Sequence, residues 1–331
     1  MKKRLLAVFL ILVLTVCMAA GCKQNVGTTQ DNAIVEEEEG AGEDETGTYL
    51  FGFSCISMEN PYFITLEQSL RETVEAEGNT MITRDPADDP EVQISQIQDM
   101  IEEGIDAIFL CPVSWDGITP ALEALRDAGI KIINVDTQVK DMTYVDAYIG
   151  SDNRTAGELC AQDLTEQRPD GGRVVILESD AQNSVIERIT GFEETIAGQG
   201  FEVVARADTK GELNQARETA AKIFAENDQI TAVMCGNDQI ALGALVAAHT
   251  AGLTDVLIYG VDGSPDLKKE LLKSDTLIRG TSGQSPISIG KDAARTGMAV
   301  LNGEDYEEEL YEDVFFITSE NVDMYGADGW Q

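Results

Sequence analysis

Histidine is almost missing from this chain: its 331 residues include one, His249. It stands beside Ala247, Ala248 and Thr250 in a helical pattern, where a surface or half-buried helix position accounts for it. The motifs of common chemistries are missing as well. There is no GxSxG, no Walker A lysine run, no HExxH and no GxGxxG. No cysteine pair has CxxC spacing, which argues against zinc. Paired carboxylates of the glycosidase kind leave no sequence signature, and nothing here sets two of them on one bond. The expectation is a protein that is not an enzyme and needs no metal and no cofactor.

Positive charge is scarce. Lys and Arg total 23 against 60 Asp and Glu, a formal net charge of -37. Four basic and eight acidic residues precede Thr48, so the excess belongs to the globular part. That argues against nucleic acid, which requires basic surface, and against adhesion to anionic lipid. An acidic surface confers solubility and self-repulsion instead.

The apolar run Leu5 to Val16 is too short for a stable membrane span. Lys2-Lys3-Arg4 precede it and Ala19-Ala20-Gly21-Cys22 follow, so residues 1–21 read as a secretory signal. A cysteine directly after small residues resembles the lipobox of bacterial lipoproteins, with Ala19 where leucine is more usual. Cys22 would then carry the lipid, placing the protein at the cell surface or in the periplasm, exported and anchored. Residues 22–47, with Glu36 to Glu39 and almost nothing apolar, read as a disordered acidic tether. The other cysteines are Cys55, Cys111, Cys160 and Cys235. They are expected to be free thiols serving as small buried apolar residues; Cys55 with Cys111 is the best pair should a disulfide form.

From Tyr49 onward, strand-length apolar runs alternate with helical patterns. Strands are expected at Tyr49 to Cys55, Met81-Ile82, Ile105 to Leu110, Ile130 to Val135 and Val145 to Ile149. The rhythm then restarts at Arg173 to Leu177, Phe201 to Ala205, Ile230 to Cys235, Val256 to Val261 and Thr276 to Thr281. A long helix follows, and then a closing strand at Val314 to Ile317. Such repetition means an α/β fold with parallel sheets and right-handed crossovers; two series of similar length mean two lobes.

In parallel sheets, ligands bind at the carboxyl ends of strands. Polar residues gather there: Asn60, Asp136, Asp152, Asn237, Asp262 and Gln284, with Arg188 in the turn region of the second series. Asn60 suits an N-cap and Pro61 a first helical position, which puts Tyr62 and Phe63 in the first turn. Carboxylates accept from hydroxyls, amides donate and accept, and arginine donates up to five bonds. With flat ring faces beside them, this mixture suits a small polyhydroxy compound. Each residue taken alone is more often a cap or turn residue; their number and common position carry the reading.

Several stretches occur together and in order: Asn60-Pro61-Tyr62-Phe63, Asn134-Val135-Asp136, Gly150-Ser151-Asp152-Asn153, Arg188 ahead of Gly191-Phe192, Gly236-Asn237-Asp238 with Ala241 to Leu245, and Gly260 to Pro265. They resemble the ribose-binding-protein branch of the bacterial periplasmic (type I) sugar-binding proteins of ABC transporters. The resemblance implies two Rossmann-like lobes joined by three hinge strands, with the ligand between them. It implies lobes of 48–150 plus 285–312 and of 151–284 plus 313–331, crossing near Ser151-Asp152, Gln284 and Glu312-Asp313. Its ligand contacts fall on Asn60, Tyr62, Phe63, Asp136, Arg188, Asn237, Asp262 and Gln284.

There are three departures. Cys111 stands where ribose binders place an asparagine before proline, Thr137 where they place an arginine, and Gly211 where they place an aromatic residue. Cys111, Trp115 and Thr137 are further candidates for contact, with Trp115 able to fill the space over Cys111. The implied function is capture of a small neutral sugar or sugar-like polyol by a monomer that delivers it to an ABC transporter permease. The same pocket would serve a receptor for a chemotaxis or two-component sensor. Repressors share this core, but an export signal and an acidic surface argue against one.

Overall fold

The computed structural model describes residues 48–331, so the expected signal (1–21), the lipid site Cys22 and the tether (22–47) lie outside the described residues. In the first half, β1 (Leu50–Ser54), β2 (Thr80–Arg84), β3 (Ala107–Leu110), β4 (Lys131–Val135) and β5 (Ala147–Ser151) alternate with α1 (Pro61–Ala76), α2 (Pro90–Glu103) and α3 (Thr119–Asp127). The second half repeats the plan with α4 (Asn153–Gln167), β6 (Gly172–Glu178), α5 (Asn183–Ile196), β7 (Phe201–Asp208), α6 (Leu213–Glu226), β8 (Ile230–Cys235), α7 (Asp238–Ala251), β9 (Leu257–Asp262), α8 (Pro265–Leu271) and β10 (Ile278–Gly283). Then come α9 (Pro286–Asn302), β11 (Glu309–Glu312), β12 (Phe315–Thr318) and α10 (Val322–Tyr325).

Two six-stranded sheets result, ordered β11-β5-β4-β3-β1-β2 and β12-β10-β9-β8-β6-β7. All pairs are parallel except β12, which runs antiparallel to β10. Helices cover both faces of each sheet, so inner strands such as β3 (Ala-Ile-Phe-Leu) are buried on both sides and need unbroken apolar runs. On the first sheet, α1 and α9 cover one face, and Ile97, Leu122 and Leu125 of α2 and α3 cover the other. On the second, α4 and α5 oppose α6, α7 and α8.

The chain passes from the first sheet to the second at Asp152, between β5 and α4. It returns at Gln284-Ser285, between β10 and α9, and crosses again between β11 and β12. Ser151 Oγ donates to Gln284 Oε1 at 2.8 Å, tying two crossings together. Asp152 and Ser285 cap the helices that leave these crossings, accepting from Thr155 N and Ser288 N. The tail does not stay with the second sheet throughout. Beyond α10, Trp330 packs against the core beneath α1. The four cysteines are buried free thiols, with no disulfide among the described residues.

Candidate functional site

A cavity of about 290 Å³ opens between the carboxyl ends of the two sheets, and all eight expected residues line it. The β1–α1 junction supplies three. Asn60 caps α1, its Oδ1 accepting from Tyr62 N at 3.0 Å, and Pro61 takes the first helical position. Tyr62 and Phe63 then turn inward, with ring centroids 5.3 Å apart and planes at 88°. The Tyr62 hydroxyl is buried beside the Asp136 carboxyl, and no hydrogen bond of good geometry satisfies it among the described residues. Burial and the nearby Asp136 and Asp262 carboxylates push its pKa up, so it stays protonated and able to donate.

Asp136 follows β4, and Asp262 closes β9. Each is the residue at the carboxyl end of its lobe's fourth strand, and each has a positive φ, +65° and +134°, which non-glycine residues rarely adopt. Strain of this kind persists where surroundings over-determine it, often at binding sites. Asp136 N donates to Ile149 O at 2.9 Å, and the Tyr148 hydroxyl donates to Asp136 O at 2.9 Å. Asp262 Oδ1 accepts from Gln284 Nε2 at 2.8 Å. Burial raises the pKa of both carboxyls, and the Arg188 guanidinium opposes the rise.

Arg188 comes from the second turn of α5, not from a turn between elements. It is only 4% exposed. Its Nε donates to Asn153 Oδ1 at 2.8 Å, its Nη1 donates to Gly236 O at 2.9 Å, and Nη1 stands 3.8 Å from Asp262 Oδ1. Asn237 caps α7, accepting from Ile240 N while Nδ2 donates to Gly211 O. Gln284 is committed on both sides, to Ser151 and to Asp262.

The three further candidates do not reach the cavity. Cys111 lies behind Asp136, with Sγ 3.5 Å from Oδ2. Thr137 Oγ1 accepts from Ser184 N at 2.9 Å. Trp115 N donates to Ala181 O at 2.9 Å, and the Lys140 ammonium lies over its ring at 5.3 Å. Thr137 and Trp115 thus bridge the lobes beside the cavity, in a closed arrangement. Gly211 does line it. At φ +78°, with a would-be Cβ 3.3 Å from Asn237 Nδ2 and Gln182 Nε2, a side chain there would be strained and tight, which favours glycine.

Sequence reasoning missed Gln182, Ser184 and the mouth residues Glu59, Asp88, Lys210 and Glu212, all lining the cavity. Ser184 is in the first turn of α5 and Gln182 immediately precedes it; the mouth residues sit on loops, where no periodicity marks them. Asp88 at φ +64° and Lys210 at φ +53° are both left-handed. Burial, with Glu212 across the cleft, raises the Asp88 pKa to about 6, and Lys210 opposes the rise. A carboxyl raised in the folded state contributes stability that is fully present below its unfolded pKa and is lost as pH climbs to its folded one. Asp88→Asn should therefore raise the melting temperature at pH 7 and leave it nearly unchanged at pH 4. Melting curves at the two pH values check this; equal shifts at both would contradict it.

A family model described as "Periplasmic binding protein domain" matches residues 51–305. The chain belongs to this family. It falls in the ribose-binding branch of the periplasmic binding proteins: the ribose import binding protein of Escherichia coli K12 is 28% identical over 249 residues, covering 75% of this chain and 83% of that protein. Among solved structures, an ABC transporter solute-binding protein from Mycobacterium smegmatis with bound glycerol is 26% identical with a TM-score of 0.79, covering 84% of this chain and 96% of its own. One from Actinobacillus succinogenes 130Z with bound D-allose is 25% identical with a TM-score of 0.76, covering 84% and 100%. Periplasmic binding proteins of this branch bind solutes for transport and are not enzymes.

Proposed function

We propose that this periplasmic binding protein is a lipid-anchored monomer that captures one small neutral sugar or sugar-like polyol and delivers it to the permease of an ABC importer. The observation that carries the reading is the convergence of Asn60, Tyr62, Phe63, Asp136, Arg188, Asn237, Asp262 and Gln284 on one cavity shared by two lobes. Asp136 and Asp262 accept from hydroxyls, Arg188 and the unpartnered Tyr62 hydroxyl donate, and the rings of Tyr62 and Phe63 cover the C–H face of a sugar ring. The cavity lies near the lower end of the ligand-pocket range, suiting a monosaccharide rather than an oligosaccharide. Closing and opening of the lobes at the three crossings would admit and release the ligand.

The ligand is expected to differ from ribose. Cys111 and Thr137 replace an amide and a guanidinium that ribose binders are expected to have, and neither side chain reaches the cavity. An aldose of another configuration, a polyol or a cyclitol fits the remaining donors and acceptors. Native mass spectrometry of the protein purified without added ligand tests this. A retained mass matching a sugar or polyol supports it, and an empty protein that no such compound shifts contradicts it.

Anchoring is a separate expectation. Cys22→Ala should release soluble protein or leave the precursor uncut. Membrane retention with normal processing in that variant would contradict anchoring at Cys22.

A further inference from the structure

Trp330 lies beyond α10, in the part of the chain that follows the last strand of the second sheet, yet its ring meets a residue of the first lobe. Its centroid is 5.8 Å from that of Tyr62, with the planes at 76°. Phe63 meets the same ring at 88°. Two rings thus hold Tyr62 edge-on, one from its own helix and one from the tail, while Tyr62 lines the cavity with its hydroxyl unpartnered among the described residues.

The tail is fastened on its other side to the second lobe and the hinge. Lys268 of α8, fully buried, donates from Nζ to Gly329 O at 2.6 Å. Ser285, at the crossing into α9, donates from Oγ to the main-chain oxygen of Gln331. Gln331 Oε1 lies against Gly263, where a Cβ would come within 2.9 Å of it. Gly263 directly follows the cavity residue Asp262. Residues 326–331 therefore form a strap from the back of Asp262 to the back of Tyr62.

We propose that Trp330 is a positioning residue for the ligand, holding the Tyr62 ring in its binding orientation and tying it to the second lobe when the lobes are closed. The inference rests on the proposed sugar-binding reading. Without Trp330, the Tyr62 ring gains freedom that the ligand must remove on binding, at a cost in affinity. The closed arrangement also loses a contact that links the lobes through the strap.

A double-mutant cycle read by calorimetric titration tests this, using whichever of D-ribose, D-allose, D-galactose and myo-inositol the wild type binds. Trp330→Ala should weaken binding roughly three- to tenfold, the size of an aromatic pair, and Trp330→Phe should restore part of the loss. In a Tyr62→Leu background, Trp330→Ala should change affinity by less than about twofold, because coupled residues are not additive. Unchanged affinity in Trp330→Ala, or the same loss in both backgrounds, overturns the inference. Melting curves of the ligand-free variants establish folding; should Trp330→Ala not fold, Trp330→Leu takes its place in the cycle. A wild type that binds none of the four compounds and retains no sugar or polyol on purification removes the sugar-binding reading and this inference with it; a retained compound takes their place as the titrant.

Discussion

Arg188→Met should abolish measurable sugar binding and lower the melting temperature, with the thermal deficit larger at pH 8 than at pH 5. Among the described residues, Arg188 is the one cation deep in the cavity, and Lys210 is at the mouth. Its guanidinium stands 3.8 Å from Asp262 Oδ1, with both side chains about 5% exposed or less. Removing one partner of a buried pair costs about 3–5 kcal/mol, because the other charge stays buried and uncompensated. The pH dependence follows from sign. Arg188 holds the Asp136 and Asp262 pKa values down against burial. Without it, both rise further, and the carboxyls contribute stability only while protonated. That contribution is lost as pH climbs through their folded-state values, so the variant suffers most in alkali. Methionine keeps much of the side-chain length, so packing changes least. Affinity measured by titration and melting at the two pH values decide the matter. A variant with wild-type affinity, or a deficit that is equal at both pH values, would contradict this account of the pair.

Asp136→Ala should weaken sugar affinity by at least about tenfold. A charge-assisted hydrogen bond contributes roughly 1.5–3 kcal/mol, and about 1.4 kcal/mol is a factor of ten. Alanine at φ +65° also adds strain, whereas asparagine tolerates this region better. Asp136→Asn should accordingly cost less affinity than Asp136→Ala and almost no stability, which separates the loss of the acceptor from backbone strain. His249→Ala, on the exposed face of α7, should alter neither. If Asp136 serves only to shape the turn after β4, thermal stability falls in Asp136→Ala while affinity holds. Calorimetric titration of all three variants distinguishes these outcomes.

The parts of the fold legible in the sequence are those where local chemistry and tertiary demand coincide. Asn60-Pro61 marks a helix start because the capping oxygen and the missing N–H are both needed there. Strands buried on both faces read as apolar runs, so their ends, and the polar residues placed on them, could be located. What escaped had no such local mark. β11 is Glu-Leu-Tyr-Glu, an exposed edge strand whose pairing with β5 comes from topology rather than from apolar content. Arg188 stands between Ile186 and Ile189 in α5, and its burial at the cavity comes from how that helix packs on the sheet rather than from a turn. The sequence offers Trp115 as cover for Cys111, but its main chain binds Ala181 across the cleft, a contact between residues 66 positions apart. The strap at Trp330 depends on the segment after α10 returning to the first lobe, which no periodicity encodes.

The account's central claim is that the cavity between the lobes holds one sugar or polyol. Calorimetric titration of the wild type with D-ribose, D-allose, D-galactose and myo-inositol, after unfolding and refolding to strip retained ligand, tests it most directly. The account predicts saturable binding of at least one compound with one site per chain. No heat with any of the four from a correctly refolded protein, and no retained sugar in the material before stripping, would contradict it.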